Sequence, residues 1–261
     1  MAGWRTHGVS VEGYRHRRTG APCQDAWDSA VWGADGGPEV TVLAVADGAG
    51  SRPRSQEGAR LAVRLAVEHF GRTAAAAPCP AGEAAHQLLL RTYELVRDDF
   101  ASQVAGAARL DDFATTLTVV VLTPDWLGHV SVGDGFVIVR AGADAEGKRQ
   151  YHLLPQAEAA SEYSNETVFL TSPRADRWVR TDCVRDPGVD GVLLSTDGLV
   201  QAALTSAGTP NSAFVAAVLG SLERPDLDPD EDGEQLAELL RSDRLSALNA
   251  DDKTVLRAVR R

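Results

Sequence analysis

The sequence predicts an α+β fold with antiparallel sheets, and three features predict it. A short β-branched run, Val40 to Ala46, ends in Asp47-Gly48 and is followed by two stretches of helical spacing. From Phe113 the period changes to β-rich runs separated by turn residues, and helical stripes return only near the C-terminal end, before one last strand. Runs of strands and runs of helices, rather than strict alternation, exclude a doubly wound parallel sheet.

The elements follow in order. After Asp47-Gly48, Ser55 reads as the N-cap of a helix with Glu57 in its first turn, and Leu61, Val63, Leu65, Val67 and Phe70 carry its apolar face up to Gly71. Beyond an Ala/Pro stretch at 74–82, Leu89, Tyr93, Val96 and Phe100 lie at i, i+4, i+7 and i+11 of a second helix. Thr115 to Leu122, Gly128 to Val132 and Phe136 to Arg140 read as an antiparallel meander. The polar segment 155–166 is expected to leave the sheet, and strands resume near Val168–Leu170, Trp178–Val184 and Val192–Ser195. A third helix carries Val215, Val218, Leu219 and Leu222. An acidic loop over 226–234, a fourth helix around Leu236–Leu240 and a strand Thr254–Val259 complete the chain. With neither an internal repeat nor a long linker, residues 1–261 are expected to form one layered domain.

Composition narrows the function. Hydrophobic residues at 44% and charged residues at 24% exclude whole-chain disorder and coiled coil. The net charge of −11 disfavours a nucleic-acid partner, whose phosphates are neutralised by Lys and Arg. No run of about 18 apolar residues is present, which argues against a membrane span. The opening MAGWRTHGVS lacks a signal-peptide core, so a cytoplasmic location is expected. Cys23, Cys79 and Cys183 are far apart and form no CxxC pair, which reads as small buried thiols rather than a disulfide framework or a zinc site.

Three Asp-Gly pairs each follow an apolar strand: Asp47-Gly48, Asp134-Gly135 and Asp197-Gly198. Asp251-Asp252 precedes the final strand and Gln24-Asp25 precedes a probable first one. On local grounds Asp134-Gly135, between Val130-Ser131-Val132 and Phe136-Val137-Ile138-Val139, reads as a hairpin turn. Strand ends on one edge of a sandwich can nonetheless bring such carboxylates together. Without Lys or Arg between them they require protons or a cation, and an all-oxygen donor set points to Mg²⁺ or Mn²⁺ rather than Zn²⁺.

The ordered set resembles the metal-dependent Ser/Thr protein phosphatases of the type 2C (PPM) family. The matching pieces are Cys23-Gln24-Asp25, Ala46-Asp47-Gly48-Ala49-Gly50-Ser51, Ala114-Thr115-Thr116-Leu117, Gly133-Asp134-Gly135, Leu194-Ser195-Thr196-Asp197-Gly198-Leu199 and Asp251-Asp252-Lys253-Thr254. Gly13, His16, Gly20 and Pro22 before Cys23 look like a bacterial branch of that family. The resemblance implies a four-layer αββα sandwich, two antiparallel β-sheets flanked by helix pairs. It implies that Asp47 bridges two Mg²⁺ or Mn²⁺ ions, that the Gly48 carbonyl completes one of them, and that Asp197 and Asp251 hold the other. Asp25 would sit beside the metals through bound water, and Asp134 would help form a weaker third site. Two ions roughly 3.5–4 Å apart would activate a bridging water for in-line attack on phosphorus, with no protein nucleophile.

The chain departs from the family pattern at several points. Gly135 and Phe136 replace a frequent Ser-Arg pair, Asp252 takes the usual Asn place, and Ala49 stands where some members carry a His proton donor. Gly20 occupies the spacing of the arginine that clamps the substrate phosphate. Arg15, Arg17 and Arg18 are the replacement candidates, and His16 is a candidate for contacting the phosphate or shuttling a proton.

Other motifs carry less. Gly142 to Lys148 has a P-loop outline, but Arg149 replaces the Ser/Thr and strands flank it, so it reads as a hairpin loop. Asp228, Asp230, Asp232 and Gly233 copy half a calcium loop, but Leu239 occupies the position of the bidentate Glu, so a solvated acidic loop is expected. Ser195 lacks a nucleophile elbow, and His69, His86, His129 and His152 show no metal-site spacing. The function expected is metal-dependent hydrolysis of phosphoserine and phosphothreonine in the protein substrates of a Ser/Thr kinase, by a cytoplasmic monomer. The alternative is a pseudophosphatase that binds phosphoproteins without turnover.

Overall fold

The computed structural model describes residues 3–33, 39–76, 82–155 and 167–261. Cys79 and nearly all of the polar 155–166 segment lie outside the described residues. Two five-stranded antiparallel sheets form the centre. The first contains β1 (Trp4–Val11), β10 (Lys253–Arg260), β9 (Val189–Ser195), β6 (Phe136–Ala143) and β7 (Arg149–Leu153), in that order. The second contains β2 (Asp25–Trp32), β3 (Val40–Asp47), β4 (Leu117–Leu122), β5 (Leu127–Val132) and β8 (Arg180–Val184). Helices α2 (Ser55–Ala76) and α3 (Glu83–Val104) cover the second sheet, while α4 (Val200–Ala203), α5 (Ser212–Gly220), α6 (Pro229–Arg241) and α7 (Asp243–Leu248) lie on the first. The expected α+β sandwich is borne out.

Strand periodicity produces the layers. Along β3, Leu43 and Val45 face the other sheet with Val137, Val139, Leu194 and Leu256, whereas Val42, Ala44 and Ala46 face Leu65, Ala66 and Phe70 of α2. Both faces of the strand are buried, which is why its sequence is a continuous apolar run rather than an alternation. On the outside of the first sheet, Ile138, Leu193, Val255 and Val259 meet Val215, Leu219, Leu236 and Leu240.

Several expectations are corrected. Asp134-Gly135 is not a hairpin turn and β4, β5 and β6 are not a meander, because β5 belongs to the second sheet and β6 to the first. A tight I′ turn needs positive φ at both central residues, but here only Gly133 of the three has it, at 99°. The connection crosses between the sheets through a gap so narrow that a Cβ on Gly135 would lie 2.5 Å from Thr118 Oγ1. No strand forms at Val168–Leu170; Leu170 N makes a single bond to the Thr115 carbonyl at 2.8 Å. Ser55 is the first residue of α2 rather than an accepting cap, and its hydroxyl donates to the Arg52 carbonyl.

The acidic loop is instead the start of α6. Asp228 accepts from the amides of Asp230 and Glu231, and Asp232 pairs with Arg257, so these carboxylates are already used and the half calcium motif is a helix cap. Gly142 to Lys148 is the β6–β7 turn, as expected, with Asp144 Oδ1 accepting from the Lys148 amide at 2.7 Å. Sequence reading missed β1 and α1 (Tyr14–Thr19). β1 pairs with β10 along its whole length, but it is an edge strand of mixed polarity, and its Gly8 lies where a Cβ would come within 2.7 Å of Trp27.

A candidate dinuclear metal centre at one end of the sandwich

The strand registers bring the acids to one end. Asp25, the first residue of β2, lies opposite Asp47, the last of β3. Asp197 begins a 3₁₀ turn two residues after β9 ends at Ser195, and Ser195 pairs with Val255 of β10, whose start follows Asp251 and Asp252. The crossing from β5 to β6 carries Asp134 to the same end. Asp47, Asp134 and Asp197 each offer a carboxylate oxygen within 4.8 Å of the others.

Backbone and hydroxyl bonds fix these positions. The Asp47 amide donates to Thr116 Oγ1 at 2.9 Å, and its carbonyl accepts from Thr116 N at 2.8 Å and Thr115 Oγ1 at 2.9 Å. Gly48 N donates to the Gln24 carbonyl, and a Cβ there would lie 2.7 Å from the Ser55 carbonyl oxygen, so only glycine fits. Thr196 Oγ1 donates to Asp25 Oδ2 at 2.7 Å and accepts from Thr254 N at 3.1 Å, tying β9, β10 and β2 together. Thr167 Oγ1 donates to Asp134 Oδ2 at 2.9 Å. Ser195 is fully buried and donates to the Thr254 carbonyl, a structural bond rather than a nucleophile's arrangement.

Electrostatics separate this cluster from an ordinary acidic surface. Burial, aided by the neighbouring Asp252 and Asp197, pushes the Asp25 carboxyl up to about 7. Burial together with Asp134 and Asp251 pushes Asp197 up to about 6. Asp47 is driven well above the carboxylate range by burial and then by Asp25, Asp197, Asp134 and Asp251. Among the described residues no Lys or Arg forms an ion pair with any of them. Lys253 is buried but turns its ammonium to the carbonyls of Asn249 at 2.7 Å and Asp251 at 2.8 Å, where it braces the Asp251 loop. An oxygen-only cluster in which Asp25, Asp47 and Asp197 are pushed toward protonation by burial and by neighbouring acids fits a hard divalent cation.

Asp252 has a different task from its neighbour. Its buried carboxylate accepts from Gly13 N at 2.7 Å, His16 Nδ1 at 2.8 Å and Gln24 N at 2.6 Å. It therefore fastens α1 and the Gln24-Asp25 turn to the Asp251 loop. Sequence reading places Asp252 in an acidic pair and at the usual Asn position, and it gives no role to Thr116, Thr196 or Lys253. Their place in the family motifs, Thr196 and Lys253 beside the acids and Thr116 in Ala114-Thr115-Thr116-Leu117, was the signal available.

The candidate arginines diverge. Arg17 bonds the Arg241 carbonyl at 3.4 Å and Ser246 Oγ at 3.1 Å, so its guanidinium is engaged with α6 and α7. Arg18 lies over the Tyr14 ring at 5.7 Å. Among the described residues Arg15 has no side-chain partner, while its amide bonds the Ala250 carbonyl at 3.4 Å beside the acid cluster.

The sequence profile described as Protein phosphatase 2C matches residues 12–241. The chain belongs to this family. It is 30% identical over 267 residues to the Serine/threonine-protein phosphatase 3 of Escherichia coli (strain K12), covering 98% of each chain. Among solved structures it is similar to the S. agalactiae serine/threonine phosphatase, with TM-score 0.59, 17% identity and 98% and 99% of the two chains covered. It is also similar to the catalytic domain of the serine threonine protein phosphatase PstP, whose structure contains two manganese ions, with TM-score 0.56, 16% identity and 100% and 99% coverage. At these identities the solved structures establish the shared fold.

The raised carboxyls make the stability of the metal-free family member depend on pH. Asp25 holds its proton to about pH 7 in the folded chain, against 3.8 for an ordinary aspartate. The folded state therefore binds more protons than the unfolded one between those values, and this contribution to stability is lost as pH rises through the window. Manganese bound by the cluster would remove the same repulsion by replacing protons. The rise in melting temperature on adding Mn²⁺ to chelator-treated protein is expected to be larger at pH 8 than at pH 5.5; an equal rise at both would count against the cluster as the binding site.

Proposed function

We propose that this chain hydrolyses phosphoserine and phosphothreonine in protein substrates using Mg²⁺ or Mn²⁺ held by its clustered aspartates. The observation that carries the reading is the convergence of Asp47, Asp134 and Asp197 within 4.8 Å, with Asp25 and Asp251 close enough to raise the Asp47 carboxyl. Asp47 and the Gly48 carbonyl would hold one ion, and Asp47, Asp197 and Asp251 the other. Asp25 would bind through water, and Asp134, at the exposed rim, would complete a weaker third site. Ions so held would offset the charge of the phosphoryl group and favour deprotonation of water.

The chain's own residues do the rest. Thr116, Thr196 and Lys253 hold three of the acid-bearing segments in fixed register, so no reorganisation is needed when the phosphate arrives. Of the three candidates, Arg15 is the one without a side-chain partner among the described residues, and its guanidinium would make a bidentate contact to the phosphate oxygens. Arg15→Ala is expected to raise KM for a phosphopeptide about tenfold, the loss of one charge-assisted contact. Arg17→Ala should instead lower stability with little change in KM. Unchanged KM in the Arg15 variant would remove it from this role.

The substrates are taken to be the products of a Ser/Thr kinase in the cytoplasm, and residues 1–261 to act as one monomeric catalytic domain. No helix among the described residues is long and apolar enough to cross a membrane. The direct test is phosphate release from a phosphothreonine peptide, with Mn²⁺ and with chelator. Turnover that needs the metal supports the reading, and tight phosphopeptide binding without turnover would replace it with the pseudophosphatase.

A further inference from the structure

We infer that His16, oriented by Asp252, gives the departing serine or threonine oxygen its proton. This rests on the phosphatase reading above and identifies a donor within that site. Ala49 leaves vacant the place where some family members carry a histidine, so protonation of the leaving group needs another source.

His16 has the connections for that task. Its Nδ1 lies 2.8 Å from Asp252 Oδ1, and the carboxylate is buried with two backbone amides already donating to it. The bond to a carboxylate makes Nδ1 the donor, which fixes the ring's orientation and leaves Nε2 as its second nitrogen. The Nε2 atom has no partner among the described residues, and the side chain keeps 20% of its surface open. A histidine held on one nitrogen by a buried carboxylate and free on the other is arranged for proton transfer.

The helix that carries the ring is also tied to the segments that bear the acids. Gly13, at the start of its helix, packs so tightly on the Asp251 backbone that a Cβ there would lie 2.3 Å from the Asp251 carbonyl carbon. Asp252 Oδ2 takes the amide of Gln24, whose own carbonyl takes the amide of Gly48. His16 is thus linked through one carboxylate to the segments that carry Asp25, Asp47 and Asp251.

The step balances. As water oxygen bonds to phosphorus, the ester P–O bond breaks and the leaving oxygen takes the proton from His16 Nε2. Water's surplus proton passes to solvent, and His16 regains one from solvent. One water is consumed, and inorganic phosphate and the free hydroxyl are released.

The test uses the sensitivity of rate to the leaving group. An alkoxide leaves poorly without a proton, whereas p-nitrophenolate leaves well without one. His16→Gln is expected to lower kcat on a phosphothreonine peptide by about 10²–10⁴-fold, while p-nitrophenyl phosphate turnover falls less than about tenfold. Asp252→Asn should shift the same ratio in the same direction. Equal losses on both substrates, or no loss on either, would overturn the assignment, since a purely structural role lowers both alike. A series of aryl phosphates with the unaltered protein gives a readout independent of any variant's folding: a shallow dependence on leaving-group basicity is expected, and a steep one would overturn the inference. If the unaltered protein turned over neither substrate with Mn²⁺, the phosphatase reading itself would fail.

Discussion

Asp47→Asn is expected to abolish turnover and, at the same time, to make the metal-free protein more stable. Turnover should fall by at least about 10³-fold, because in the proposed site one carboxylate would serve both ions. Stability should rise because the Asp47 carboxyl is driven well above the carboxylate range, first by burial and then by Asp25, Asp197, Asp134 and Asp251, all opposing its charge. Removing it relieves like-charge repulsion worth about 1–2 kcal/mol in total, or a melting temperature several degrees higher in a chain of this size. Thermal melts in chelator, beside phosphopeptide assays in Mn²⁺, measure both halves. A variant both inactive and destabilised in chelator would mean that Asp47 is held by bonds its neighbours supply, not strained against them. Retained activity would dismiss Asp47 as a bridging ligand.

The second large effect lies away from the acid cluster. Asp232→Ala is expected to destabilise the protein by about 3–5 kcal/mol, the cost of leaving a buried charge unpaired. Arg257 is fully buried on β10 and pairs with Asp232 on α6, which also lies 2.8 Å from His7 Nδ1 on β1. Burial pushes the Asp232 carboxyl up, but hydrogen bonds from Arg257 and Ser221 outweigh it and hold it below the usual carboxylate range. Arg257 also donates to Ser221 Oγ and to the Val218 carbonyl at 2.8 Å, so the pair fixes α5 and α6 on the sheet. Replacing both partners, Asp232→Leu with Arg257→Met, should recover most of the loss, since apolar substitutes for a buried pair are often neutral. Urea titrations of the single and double variants give the comparison. A single variant within 1 kcal/mol of the parent would show that water reaches Arg257.

Much of this was legible in the sequence, and the exceptions have physical causes. The apolar faces of α2 and α3 were readable because a helix buries one stripe, and Leu89, Tyr93, Val96 and Phe100 repeat it without interruption. The acids were readable as a set from the family pattern, whereas local rules misread Asp134-Gly135. An Asp-Gly pair between two β-rich runs looks the same whether the strands fold back on each other or enter different sheets, and only partners distant in sequence decide between the two. The edge strand β1 was missed because Trp4, His7 and Gly8 take their surroundings from β10, β2 and α6 rather than from any pattern of their own. Asp252 looked like a neutral replacement since nothing local tells an acid that binds cations from one that binds amides.

The pairing of β1 with β10 has a consequence for synthesis. Trp4 aligns with Arg260 and Val11 with Lys253, so β1 waits for β10, the last of the described strands, before it finds one to pair with. The Asp251–Asp252 corner arrives with that last strand, and so does the anchor for the helix that bears His16. A nascent chain therefore carries an incomplete acid cluster until β10 has left the ribosome. Closure across nearly the full contour length makes this a slow, late event in folding.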